Sequence, residues 1–207
     1  MKNAALSRAL KWLLIAQLLS IVALLPLVYN LRSLLGAAAG LLTLAALVRA
    51  AREESGYRTA LVLCVANLVL GALSSVLLRW FIYFLIRMLG TWAVQIVGAL
   101  SALLSIAGMV LGLLILRQVC LTTAGLVDDP AVAARGIRAW RINLICTVAV
   151  LLLTAAVSAL LKIGLDMEKL LGLSTAVTLL SAVAQLAARV LYLHFLWQSA
   201  RCLSARD

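Results

Sequence analysis

Carboxylates are scarce in this chain. Seven of its 207 residues are acidic, and all seven (Glu53, Glu54, Asp128, Asp129, Asp166, Glu168 and Asp207) fall in polar connections or at the terminus. That excludes an intramembrane carboxylate pair, and it argues against a coupled transporter with acids at mid-membrane. Histidine is rarer still, with His194 alone among Tyr192, Phe195 and Trp197. A single imidazole forms no His/Asp cluster and no HExxH motif, so it reads as a headgroup contact or a bundle hydrogen-bond partner. The four cysteines, Cys64, Cys120, Cys146 and Cys202, stand singly, without CxxC spacing, and predict neither a disulfide nor a metal site. Of two prolines only Pro26 falls inside an apolar run, near one end, where it implies a mild kink. No catalytic, cofactor-binding or metal-ligating residue is expected, and the chain reads as non-enzymatic.

What the sequence has in abundance is apolar surface. Its composition is 66% hydrophobic and 12% charged, with a mean hydropathy of +1.16. Soluble chains average roughly 45–50% apolar and about 25% charged, so this composition belongs to an integral membrane protein. Apolar stretches between charged clusters predict six transmembrane helices at about 9–29, 33–49, 58–78, 91–119, 139–162 and 170–199, the second being short. The fold class is therefore all-α, a polytopic membrane helical bundle forming a single membrane domain. The run 12–29 exceeds the usual signal-peptide core of about 7–15 residues and is read as the first span.

The positive charge sorts by side. Lys2, Arg8, Lys11, Arg49, Arg52, Arg58, Arg117, Arg135, Arg138, Arg141, Arg201 and Arg206 gather at one set of helix ends; Arg32, Arg79, Arg87, Lys162 and Lys169 lie at the other. The positive-inside rule then places both termini in the cytoplasm, in a cell (inner) membrane. The net charge of +11 fits contact with anionic headgroups, and no folded basic module remains to bind nucleic acid.

Internal similarity points to hairpin repeats. SLLGAAAGLLTL (33–44) set over SIAGMVLGLLIL (105–116) matches at six of twelve positions, including both glycines. Residues 58–79 set over 141–162 align Arg58 with Arg141, Ser75 with Ser158 and Arg79 with Lys162. RALKWLLIAQL (8–18) over RTALVLCVANL (58–68) puts Gln17 where Asn67 sits. Three tandem hairpins in parallel orientation, about 1–50, 51–118 and 119–207, account for this pattern.

Two connections have character. In RWFIYFLIRML (79–89), Arg79, Tyr83 and Arg87 share one face with apolar and aromatic residues opposite, which predicts an amphipathic helix lying in the outer interface, the alternative being a continuation of the third span. In VDDPAVAARGIRAWR, Asp129 reads as an N-cap and Pro130 as the first helical residue. Arg135, Arg138, Arg141 and Trp140 that follow are predicted lipid headgroup contacts.

Small and polar residues form stripes on the helices. Gly36, Gly40 and Thr43 make one; Cys64, Asn67, Gly71 and Ser74 a second; Gly98, Ser101, Ser105, Gly108 and Gly112 a third; Asn143, Thr147, Thr154 and Ser158 a fourth; Ser174, Thr178, Ser181, Gln185, Arg189 and Tyr192 a fifth. The plainer reading makes them packing seams, because membrane helices meet through small residues and hydrogen bonds. The functional reading lines a central polar site with Gln17, Asn67, Gln95, Asn143, Gln185 and Arg189. Arg189, about 28 Å along the last span counted from Leu170, is expected near the cytoplasmic boundary as a snorkelling anchor. Two functions follow: a scaffold or subunit of a membrane assembly, with other subunits or further copies as partners, or a small-solute transporter or substrate-binding membrane component.

Overall fold

The computed structural model describes residues 2–23, 31–89, 91–162 and 167–205. Six helices follow in order: α1 Lys2–Val22, α2 Arg32–Glu53, α3 Tyr57–Leu89, α4 Thr91–Leu126, α5 Pro130–Lys162 and α6 Met167–Ser204. Each holds a segment long and apolar enough to cross a membrane, and no strand occurs among the described residues. Within a bilayer an unpaired backbone amide has no water to turn to, so unbroken helix is the structure such runs must adopt. α2, at 22 residues or about 33 Å, is long enough to span. Pro26 and Asp166 lie outside the described residues.

The helices form a closed ring. Each helix packs on its neighbours in the chain, and α6 returns to α1. The closest pairings are the antiparallel hairpins α1–α2, α3–α4 and α5–α6. Ser7 closes the ring by donating from Oγ to the Ala200 carbonyl at 2.8 Å, across nearly the whole sequence.

Packing is concentrated at the end that carries both termini and the α2–α3 and α4–α5 connections. Leu6, Leu10, Leu47, Tyr57, Cys120, Phe195, Leu196 and Leu203 are buried there. Gly136 lets the Phe195 ring approach so closely that a Cβ at that position would stand 2.6 Å from it. Gly56 serves the α2–α3 turn in the same way, its carbonyl accepting from Thr122 Oγ1 at 3.2 Å. The start of α5 forms as its sequence predicts, with Pro130 first and the Ala131 amide donating to Asp129 Oδ1 at 2.8 Å.

An aromatic and cationic belt surrounds this closed end. Arg49 lies over Trp12 at 5.7 Å, Arg117 over Trp140 at 5.5 Å and Arg201 over Trp197 at 4.7 Å. Indole rings favour the bilayer interface, so the belt is taken as the reference level for the hydrocarbon edge.

Two expectations need correction. Residues 79–89 are not a separate interfacial helix; they continue α3, which runs unbroken for 33 residues or about 50 Å. Between Gly71 and Gly90 the sequence holds no glycine or proline, so nothing interrupts the hydrogen-bond ladder. Glu168 and Lys169, read as loop residues, fall in the first turn of α6.

Candidate functional site

A cavity of about 580 Å³ lies inside the ring, and every helix contributes to its wall. Its floor is the packed closed end, where Leu13, Val119 and Tyr192 are buried. Toward the opposite end the bundle loosens: Gly71, Gly98, Thr154 and Thr178, all members of the inward stripes, are exposed. The site is thus shut at the end holding the termini and open away from it.

The structure brings Gln17, Asn67, Asn143, Gln185 and Arg189 to this one wall. Gln95 is not among them. It precedes Gly108, which lines the cavity, by thirteen residues on α4, about 20 Å farther up the helix, where it is exposed.

The lining groups differ in what they have left to offer. Asn143 is committed to structure: its Nδ2 donates to Ala139 O at 2.9 Å and, across the helix pair, to Ala188 O at 3.0 Å. Thr43 and Thr147 likewise return their hydroxyls to carbonyls four residues earlier, at 2.8 Å each. The side-chain amides of Gln17, Asn67 and Gln185 make no hydrogen bond among the described residues, which leaves their donors and acceptors for whatever enters the cavity. Ser20, which no stripe contained, also lines the wall. Its three-residue spacing from Gln17 on α1 was the signal available for it.

Arg189 is half-buried and points into the bundle, donating from Nη1 to Ser20 Oγ at 3.0 Å. That contact turns the side chain toward α1 across the cavity, where a snorkelling anchor would reach for the headgroups. Counting from Leu170 assumed that the helix begins at the membrane surface, whereas α6 has 38 residues, about 57 Å, against a hydrocarbon core of about 30 Å. Measured from the belt instead, Arg189 stands eight residues inward of Trp197, about 12 Å, farther than its own side chain extends.

The stripe glycines are open at some positions and packed at others. A Cβ added to Gly36, Gly71, Gly98 or Gly112 would meet nothing within 4 Å; only at Gly40 does a neighbour crowd in, Leu68 Cδ2 at 2.8 Å. Gly36 and Gly112 therefore leave room in the cavity instead of admitting a partner helix. Both glycine pairs aligned by the sequence repeat, Gly36 with Gly108 and Gly40 with Gly112, line the same wall.

Among the described residues no group of three or more His, Cys, Asp or Glu side chains has metal-holding geometry. His194 is exposed beside Trp197, with ring centroids 6.1 Å apart. Of the expected headgroup contacts, Arg135, Arg138 and Arg141 are exposed near the closed end; Arg135 donates to Gln198 Oε1, and Trp140 is half-buried beneath Arg117.

Comparison with protein-family models, with curated proteins and with solved structures found no match.

Proposed function

We propose that this chain is a non-enzymatic small-solute carrier or substrate-binding membrane component whose site is the cavity inside the helix ring. One observation carries the reading: Gln17, Asn67 and Gln185, from three different helices, present unpaired amides to a single cavity of about 580 Å³. Ligand sites typically occupy about 300–1,000 Å³ and combine apolar walls with a few convergent polar groups, the composition found here. Intramembrane amides cost stability unless paired, so three of them facing one space call for a polar occupant.

A subunit role is the second reading, favoured by a separate feature. Between α4 and α5 runs an apolar groove of about 360 Å³, walled by Met109, Leu113, Leu144, Val148 and Leu151, with Arg117 and Trp140 on it. A groove of this kind suits a partner helix or an acyl chain.

The membrane assigned is the cytoplasmic (inner) membrane, with the closed end and both termini in the cytoplasm and the cavity opening outward. The support is the excess of Lys and Arg at the closed end. In this placement Arg135, Arg138, Arg141 and Trp140 meet anionic headgroups.

The test uses purified protein in phosphatidylcholine nanodiscs. A solute should co-purify or raise the thermal transition, and Gly112→Leu, which fills free space, should abolish that effect while leaving the protein folded. Protein that retains no solute, and that admits no water-soluble thiol reagent to the cavity-lining Cys146, defeats the reading.

A further inference from the structure

We propose that the cavity takes an organic oxyanion, a carboxylate or phosphate attached to an apolar body, with Arg189 as its counter-charge. This rests on the cavity being a solute site and names the class of solute it accepts.

The first argument is charge. Arg189 is the sole charged residue on the cavity wall among the described residues, and no carboxylate faces it. The described acids with placed side chains, Glu53, Glu54, Asp128 and Asp129, all belong to the connections at the closed end. A guanidinium about 12 Å inside the hydrocarbon boundary is poorly compensated by the single neutral hydrogen bond it makes to Ser20. Intramembrane ionisable residues of this kind generally pair with one another or mark a substrate path, and among the described residues no oppositely charged side chain lines the cavity.

The second is geometry. A guanidinium offers five N–H donors in a planar fork that matches a carboxylate or phosphate with two parallel hydrogen bonds, and Ser20 occupies one nitrogen. Gln185 lies one turn from Arg189 on α6, and Gln17 lies one turn from Ser20 on α1, so amide donors flank the fork from both helices. Cations are repelled by the same group that attracts anions.

The third is the rest of the wall. Leu13, Leu68, Met109, Leu113 and Leu116 surround the polar patch. A bare inorganic ion leaves these side chains unmatched; an anion with a hydrocarbon or aromatic portion uses both.

Cys146 lines the cavity and serves as a native reporter. Wild-type protein in nanodiscs would be treated with the anionic sulfonatoethyl or the cationic trimethylammonioethyl methanethiosulfonate, and the rate at Cys146 followed by peptide mass mapping. Relative to free cysteine, the anionic reagent should gain about tenfold or more over the cationic one. Arg189→Gln should erase that gain and Arg189→Lys should keep most of it. Benzoate, but not its uncharged isostere benzamide, should protect Cys146. Protection by benzoate in phosphatidylcholine discs assigns the site to a soluble anion; protection by added phosphatidylglycerol, with benzoate inert, assigns it to a lipid headgroup, and either result supports the oxyanion. Reagents that react with no charge preference in wild-type protein overturn the oxyanion inference and leave the solute site standing. Failure of both charged reagents and of neutral methyl methanethiosulfonate to reach Cys146 overturns the site itself.

Discussion

The hydroxyl of Tyr57, the first residue of α3, lies 2.7 Å from Oγ1 of Thr123 on α4, and both side chains are fully buried. This bond pins the closed end of the α3–α4 hairpin where no water reaches. The two partners are not equivalent. Thr123 sits within a helix and has a fallback acceptor in the carbonyl four residues earlier, whereas the Tyr57 hydroxyl has none of its own. Thr123→Val should therefore cost more than Tyr57→Phe, about 2 kcal/mol against about 1 kcal/mol, and the double variant less than their sum. Reversible unfolding in mixed micelles measures all three. Strict additivity would mean that the two hydroxyls do not interact.

Glycines at the closed end and in the cavity should respond oppositely to alanine. At Gly136 a methyl group meets the Phe195 ring at 2.6 Å, with the ring itself fixed in the core. Gly136→Ala should destabilise by about 1–3 kcal/mol through overpacking. At Gly112 the methyl meets nothing within 4 Å, so Gly112→Ala should be neutral or stabilise by up to about 1 kcal/mol through helix propensity. Thermal scans of the two variants beside wild type decide it; equal losses would mean that Gly112 does pack against a neighbour.

The contrast explains how much of this molecule was legible in its sequence. The six spans were, because about 20 apolar residues between charged clusters leave few alternatives once water is absent. Helix ends were harder. Arg79 and Arg87 share a face in a way that imitates an interfacial helix, and only the lack of a breaker before Gly90 hints that α3 continues. Some members of the polar stripes line the cavity and others are exposed, because a 3.6-residue period does not say whether a small side chain meets a neighbour or a void. That depends on how far apart the ring holds its members. Depth was the weakest link: Gln95 lies about 20 Å up α4 from the cavity-lining Gly108 and is exposed, whereas Arg189 is on the cavity wall.

Asn143 and Gln185 line the same cavity but should fail differently. Asn143 braces α5 to α6 through Ala188 O, so Asn143→Leu should lower stability by about 0.6–1.7 kcal/mol, from the average to the maximum found for hydrogen bonds between membrane helices. Gln185 makes no side-chain hydrogen bond among the described residues, so Gln185→Leu should leave stability within about 0.5 kcal/mol while weakening solute binding. Paired unfolding and binding measurements separate the two roles. A Gln185→Leu protein that binds normally would remove that amide from the site.

The belt and the ring together fix the order of crossings, and reporter fusions test it without any ligand. The connection at 54–56 and the start of α5 both lie at the closed end, beside the pairs Arg49–Trp12 and Arg117–Trp140. Fusions ending after Ser55 and after Val132 should therefore report the same side as the amino terminus, which is the cytoplasmic side in the orientation proposed from the excess of Lys and Arg there. A fusion after Glu168, beyond the far end of α5, should report the opposite side. Alkaline phosphatase and green fluorescent protein give complementary signals, since each is active on one side only. The Glu168 fusion is the most informative of the three. If it reads with the others, α5 does not cross, the ring cannot close through Ser7 and Ala200, and the cavity loses two of its walls. If all three read as expected but inverted as a set, the ring stands and the closed end faces outward.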